Sequence, residues 1–363
     1  MNLRLGRFGL QEGTAAVGLG ALLSGTFAVN LGETYARGNV CYAATAAGAL
    51  LSALLLRLLL QAMARREAGD LSALLRDRPG GLWGTLLGAP LILGLLLAAV
   101  LPLFRLTLAM ERYIFVEADY VPIALYLLPV LLLLSLKGME CVARVAKLLA
   151  LPVALALCVT LGLASPAFRL YHLCPLFSPG FPAFLTQTGE ALFRFLPAGI
   201  ALCVVGRGCQ GQRHLSGGVG RGLLLGGAGS FLMQLGLGLT FFGPDMAGMA
   251  APVYCMTMAA RQERMSLRLD VLVLFLWLMG ALVAAGFYVY AASLLLCQGA
   301  GVEDIRPVSG LLTLLVLLAL LLFNFDSERV LRVVRLIYRQ GWLLLTVPLA
   351  GLLLLSWVKG GRG

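Results

Sequence analysis

The chain has 363 residues, of which 60% are hydrophobic and only 12% charged. A soluble domain of this size carries about 25% charged residues, so these charges cannot cover a water-soluble globule, and the composition excludes a soluble catalytic domain. The net charge of +11 does not point to nucleic acid either: Lys and Arg are dispersed between apolar runs, where they orient a membrane protein by the positive-inside rule.

Each apolar run is long enough to cross a hydrocarbon core of about 30 Å. The runs are continuous rather than alternating, which selects helices over a barrel. In chain order, spans are predicted over 10–30, 40–63, 82–110, 121–136, 145–163, 183–205, 222–242, 270–297, 308–323 and 342–358. Arg4 and Arg7 precede the first run, and no small-residue cleavage site closes it, so it reads as a true span and not a signal peptide. No linker divides the chain, and residues 1–363 form a single polytopic domain in the lipid bilayer.

None of the eight cysteines is in CxxC spacing, and the two histidines, His172 and His214, fall in predicted loops. The cysteines read as small buried hydrophobes. No nucleophile–base set or metal-ligand set is visible, so the expectation is no catalytic residue, no metal, no cofactor and no enzyme.

With the N-terminus inside, the cytoplasmic segments of the first seven spans hold Arg4, Arg7, Arg65, Arg66, Arg76, Arg78, Lys137, Arg144, Lys147, Arg207, Arg213 and Arg221. The outer loops hold Arg37, Arg112 and Arg169. This bias sets the orientation of those spans and places both termini in the cytoplasm. The last three spans break the rule, because the loops after the seventh and ninth carry Arg261, Arg264, Arg268 and Arg329, Arg332, Arg335, Arg339.

An internal repeat accounts for the conflict. Glu140-x-Val142-x-Arg144-Val145-x-Lys147 after the fourth span is echoed by Glu328-x-Val330-x-Arg332-Val333-x-Arg335 after the ninth. Five spans separate them, so equivalent loops fall on opposite sides of the membrane, as two inverted five-helix halves require. The halves are placed at 1–165 and 166–363. The segments 64–80 and 243–269, again five spans apart, are each long enough to hold a short helix.

In inverted-repeat transporters the first helix of each half is broken near the midplane, where exposed backbone groups receive the ligand. Leu23-Ser24-Gly25-Thr26 in the first span and Pro197-Ala198-Gly199 in the sixth are the candidate breaks and ligand-binding residues. Packing is the alternative, since small residues are common at membrane helix contacts. Arg57, Arg105, Glu190 and Arg194 lie inside spans, where charge is costly. Arg57 can snorkel, and Glu190 and Arg194, four apart, read as an intrahelical pair. Arg105 either binds a ligand carboxylate or pairs with Glu111 or Glu117.

Several stretches resemble the spore germination permease family, the B subunits of germinant receptors, within the amino acid–polyamine–organocation superfamily. They are Gly138-x-Glu140-x-x-x-Arg144, His172-Leu173-x-Pro175, and Arg268-x-Asp270 followed by Trp277 and preceded by Pro252. The resemblance implies an all-α membrane fold of about ten helices in two inverted five-helix repeats, LeuT-like. It also implies a nutrient-sensing subunit in the inner membrane of a bacterial spore. Its partners would be a receptor A-type membrane subunit, a C-type lipoprotein and a small nutrient such as an amino acid. Many family members carry Gly-x-Glu in the sixth helix; Pro197-Ala198-Gly199 lacks that acid.

Overall fold

A computed structural model describes residues 6–27, 39–66, 68–76, 81–115, 117, 119–174, 178, 180–211, 214–249, 251–259, 269–322 and 327–360. The long helices are α1 (Leu10–Phe27), α2 (Cys41–Arg65), α4 (Gly81–Tyr113), α5 (Tyr120–Lys137), α6 (Met139–Ala164), α7 (Phe181–Val205), α8 (Leu215–Thr240), α10 (Leu269–Ala300), α11 (Ile305–Leu322) and α12 (Ser327–Gly360). Two short helices, α3 (Leu71–Arg76) and α9 (Pro252–Ala259), fill the two segments expected to hold them. Among the described residues, eight helices are long and apolar enough to cross a membrane. With α1 and the shorter apolar stretch Arg339–Leu354, the order reproduces the ten expected spans.

The packing follows the same inverted symmetry. α1 packs most extensively on α8 and α2 on α7, while α4 pairs with α10 and α5 with α11. Glycine makes the first contact possible. A Cβ on Gly226 would lie 2.4 Å from the Gly18 carbonyl, and one on Gly222 2.7 Å from the Thr14 carbonyl. Backbones this close gain dispersion that bulkier residues would prevent. Helices at the centre and perimeter differ in burial: 89% of the apolar window of Phe181–Gly208 is buried, against 28% for Ile305–Leu322. On α6, Leu148, Leu151, Leu155 and Val159 form an exposed stripe at helical spacing, which suits a face turned to lipid.

Four of the hydroxyls inside the helices are satisfied locally. Thr107, Thr160, Thr240 and Ser293 each donate to the carbonyl four residues back, so they add no unpaired polar group to the hydrocarbon layer. Proline lies within α4, α5, α6, α7 and α12, where membrane helices tolerate it more readily than soluble ones do.

Two expected loops are helical. Glu140 and Arg144 lie in the first turns of α6, and the echoing stretch 328–335 opens α12. Charge density suggested loops, but a polar helix can extend beyond the apolar run that spans the membrane. Gly138, at φ +86°, makes the reversal between α5 and α6, a backbone region that glycine adopts without strain. Arg144 then pairs with Glu140 at 2.5 Å on the surface, where such a pair adds little stability.

One end of the bundle carries a parallel β-bridge. β1 (Phe8–Gly9) pairs with β2 (Cys209–Gln210), so the segment before α1 is tied to the segment after α7. Glu12 accepts from the Gly9 amide at 2.9 Å, and a Cβ on Gly6 would lie 2.9 Å from Glu140 Cβ.

Candidate functional site

The candidate residues on α1 and α7 are helical, not unwound. The expected breaks at Leu23–Thr26 and Pro197–Gly199 are therefore corrected: small residues here let helices touch. Leu23 is fully buried, and its Cδ1 lies 3.0 Å from where a Gly280 Cβ would stand on α10. A Cβ on Gly20 would meet Tyr288 Oη at 2.5 Å and Ala198 Cβ at 3.3 Å, so Ala198 packs one turn before Ser24. Gly199 faces Leu56 of α2 and Val219 of α8. Gly25 and Gly199 thus point to different neighbours and do not frame a shared space.

The residues that meet Leu23–Thr26 are others. Because α1 and α7 run antiparallel, Gly25 lies level with Arg194 and Phe195, a turn before the proline motif. Its carbonyl accepts from Gln234 Nε2 at 3.0 Å and from Arg194 Nη1 at 3.4 Å. Cys41 Sγ and Thr45 Oγ1 on α2 donate to Gln234 Oε1 at 3.1 and 2.5 Å. Those two donors fix which way the amide points, and its NH₂ is left for Gly25. Ser230 Oγ donates to the Leu22 carbonyl at 3.1 Å, and Ser24 Oγ lies 3.2 Å from Tyr288 Oη. All of these side chains are buried.

Several buried polar atoms on α1, α7 and α10 have no hydrogen-bond partner among the described residues: Thr26 Oγ1, Arg194 Nε and Nη2, Trp277 Nε1 and, two turns before Arg194, Gln187 Nε2 and Oε1. Native interiors satisfy nearly all such groups, so a local set of exceptions calls for an explanation. Glu190, one turn before Arg194 on α7, is buried to the same degree, at 1% exposure. Trp277 packs edge-on against Phe27 with ring centroids 5.2 Å apart.

The other candidates make contacts of their own. Arg105 is buried on α4 with its guanidinium 5.7 Å from the Phe104 ring centroid. Asp270, at the start of α10, accepts from Tyr254 Oη at 2.7 Å and so anchors α9. His172 Nδ1 lies 3.0 Å from the Leu239 carbonyl, pinning the connection before α7 to the end of α8. Arg268 and Pro175 lie outside the described residues.

Sequence reasoning missed Gln234, Tyr288, Ser230 and Gln187. Only Gln187 and Gln234 carried a legible signal, an amide inside an apolar run. Ser230 and Tyr288 look unremarkable until α1 is placed against α8 and α10.

The comparisons with known proteins agree with this architecture. A family model described as spore germination protein matches residues 47–211. No curated protein matches the chain in sequence. Among solved structures, the chain is similar to a nucleobase-cation-symport-1 family transporter in a closed conformation with bromovinylhydantoin bound. That match has a TM-score of 0.73 and 14% identity, over 97% of this chain and 78% of the other. A Na⁺-coupled sialic acid symporter matches at 0.64 and 12%, over 93% and 78%. A manganese transporter of Eremococcus coleocola matches at 0.65 and 13%, over 94% and 78%. These are LeuT-fold transporters, and at such identities the likeness concerns the fold alone. Residues 47–211, from within α2 to the turn after β2, thus match the family described as spore germination protein, on a fold similar to that of LeuT-type transporters.

Proposed function

We propose that this chain is the nutrient-sensing, permease-like subunit of a spore germinant receptor, with its ligand held where α1 crosses α7. The observation that supports this reading is the set of buried, unpartnered polar atoms at and beside that crossing: Thr26 Oγ1, Arg194 Nε and Nη2, and Trp277 Nε1, whose ring packs on Phe27. Polar groups at membrane depth are expensive, and where they are kept they mark a ligand path by default. The ligand class is a small nutrient, an amino acid by the family resemblance. The assembly includes a receptor A-type membrane subunit and a C-type lipoprotein in the spore inner membrane, with both termini cytoplasmic.

Sensing requires that the ligand bind one arrangement of the bundle better than another, since equal affinity shifts nothing. α1 and α7 suit this role. Both carry candidate ligand-binding residues, Thr26 and Arg194, and the β1–β2 bridge ties their far ends together. A ligand that changes the α1–α7 crossing therefore changes the geometry of that end as well.

The test is germination of spores in which this chain and its neighbouring subunits are the only receptor. Loss of refractility is scored against single amino acids, with and without the gene. A response that depends on the gene supports sensing. If no nutrient evokes one, the sensor reading falls. A second reading, transport by alternating access, is favoured by the fold shared with symporters; uptake of radiolabelled amino acid into proteoliposomes decides between them.

A further inference from the structure

Resting on the ligand site proposed above, we infer that Arg194 selects a ligand bearing a carboxylate and holds it through two parallel hydrogen bonds from Nε and Nη2. Arg194 is 1% exposed, near the middle of the most enclosed helix of the bundle. A guanidinium does not lose its charge in a protein, so burying it demands compensation. Nη1 spends one donor on the Gly25 carbonyl at 3.4 Å. Among the described residues, Nε and Nη2 have no partner.

Those two nitrogens form one edge of the guanidinium. Their N–H bonds lie parallel, at the spacing of the two oxygens of a carboxylate, and this match makes arginine the preferred residue for bidentate carboxylate recognition. A structural arginine would turn that edge to a protein acid or to carbonyls. Here the edge is left over while the opposite nitrogen is anchored, so the fork is held in place by α1 before any ligand arrives. The charged group nearest by sequence is Glu190, one turn earlier on α7 and buried to the same degree. Glu190 does not occupy the Nε–Nη2 edge. Thr26 Oγ1, next to the Gly25 anchor and also without a partner, is a further donor on the α1 side.

The experiment uses the full-length protein in nanodiscs and reads thermal unfolding against concentration. The probes are the twenty L-amino acids, propionate, L-alaninamide and L-alaninol, with inosine and D-glucose as ligands lacking a carboxylate. The expected result is that at least one acid raises the unfolding temperature and that the amide of the same acid does not. Arg194→Lys, which keeps the charge but loses the fork, should weaken the acid at least 10-fold. An acid and its amide binding equally well, or an Arg194→Lys protein with unchanged affinity, overturns the inference. Stabilisation by inosine or glucose alone also overturns it, while leaving the ligand site standing. If no probe shifts unfolding, both the inference and the ligand-site reading fall. If Arg194→Lys elutes as an aggregate, the acid–amide comparison on the unaltered protein decides alone.

Discussion

Gln234 on α8 donates its amide to the carbonyl of Gly25 on α1 at 3.0 Å, joining residues that stand 209 positions apart. The same side chain accepts from Cys41 and Thr45 on α2, so one residue links three helices inside the bundle. Replacing Gln234 with Leu removes the Gly25 contact and leaves the Thr45 hydroxyl without this acceptor. An orphaned buried group costs about 1–3 kcal/mol, and intramembrane hydrogen bonds sit at the low end of that range. Gln234→Leu should therefore destabilise the protein by roughly 2 kcal/mol, read as a lower unfolding midpoint in detergent. An unchanged midpoint would show that Gln234 is not a structural link.

Gly25 is held by contact with its neighbours. A Cβ there would lie 2.2 Å from Ser230 Oγ and 2.8 Å from Ser230 Cβ, and the backbone cannot yield because α1 and α8 are already packed. Gly25→Ala should cost about 1–3 kcal/mol through overpacking. Adding Ser230→Gly should restore part of that loss, since residues in contact are not additive. Strict additivity in the double variant, measured by thermal unfolding, would refute the contact.

The β1–β2 bridge makes a similar prediction at the bundle's end. A Cβ on Gly208 would lie 2.7 Å from the Gly6 carbonyl and 3.2 Å from Phe8 Cε1. Gly208→Val should unseat the N-terminal segment while leaving the helices intact. Hydrogen exchange at Phe8 and Gly9 should accelerate by an order of magnitude or more, because local opening sets exchange at such sites. Exchange as slow as in the unaltered protein would mean that the bridge tolerates the side chain.

Two cysteines report orientation and burial together. Cys174 is exposed in the connection between α6 and α7, while Cys255 on α9 is partly buried. Burial raises the Cys255 thiol above its ordinary value, more than its hydrogen bond to Tyr113 lowers it. Because the thiolate is the reactive form, Cys255 should react slowly near pH 8 and faster as the pH rises beyond the usual thiol range. A membrane-impermeant maleimide applied to intact cells should label Cys174 rapidly, and Cys174→Ser should remove that signal. Labelling of Cys174 only after the cells are lysed would invert the proposed orientation.

The span order was legible from composition and run length alone, because each bilayer crossing must be a helix of nearly fixed length. The short helices α3 and α9 and the inverted echo at Glu140 and Glu328 were legible for a related reason: a duplicated half repeats its polar punctuation as well as its spans. The partners across the bundle were not. Ser24 and Gly25 were identifiable as unusual, but which α7 residues they meet depends on how α1 and α7 slide past each other. A shift of one turn exchanges Pro197–Gly199 for Arg194 and Phe195. That register is set by the glycines of α8, which bring α1 close enough for Ser230 and Gln234 to reach its backbone. The sequence by itself determined a ten-span membrane protein with an inverted repeat. Only the tertiary structure decided that Arg194, Gln234 and Tyr288 converge on α1, because their contacts arise between residues far apart in the chain and follow from how closely the helices can approach.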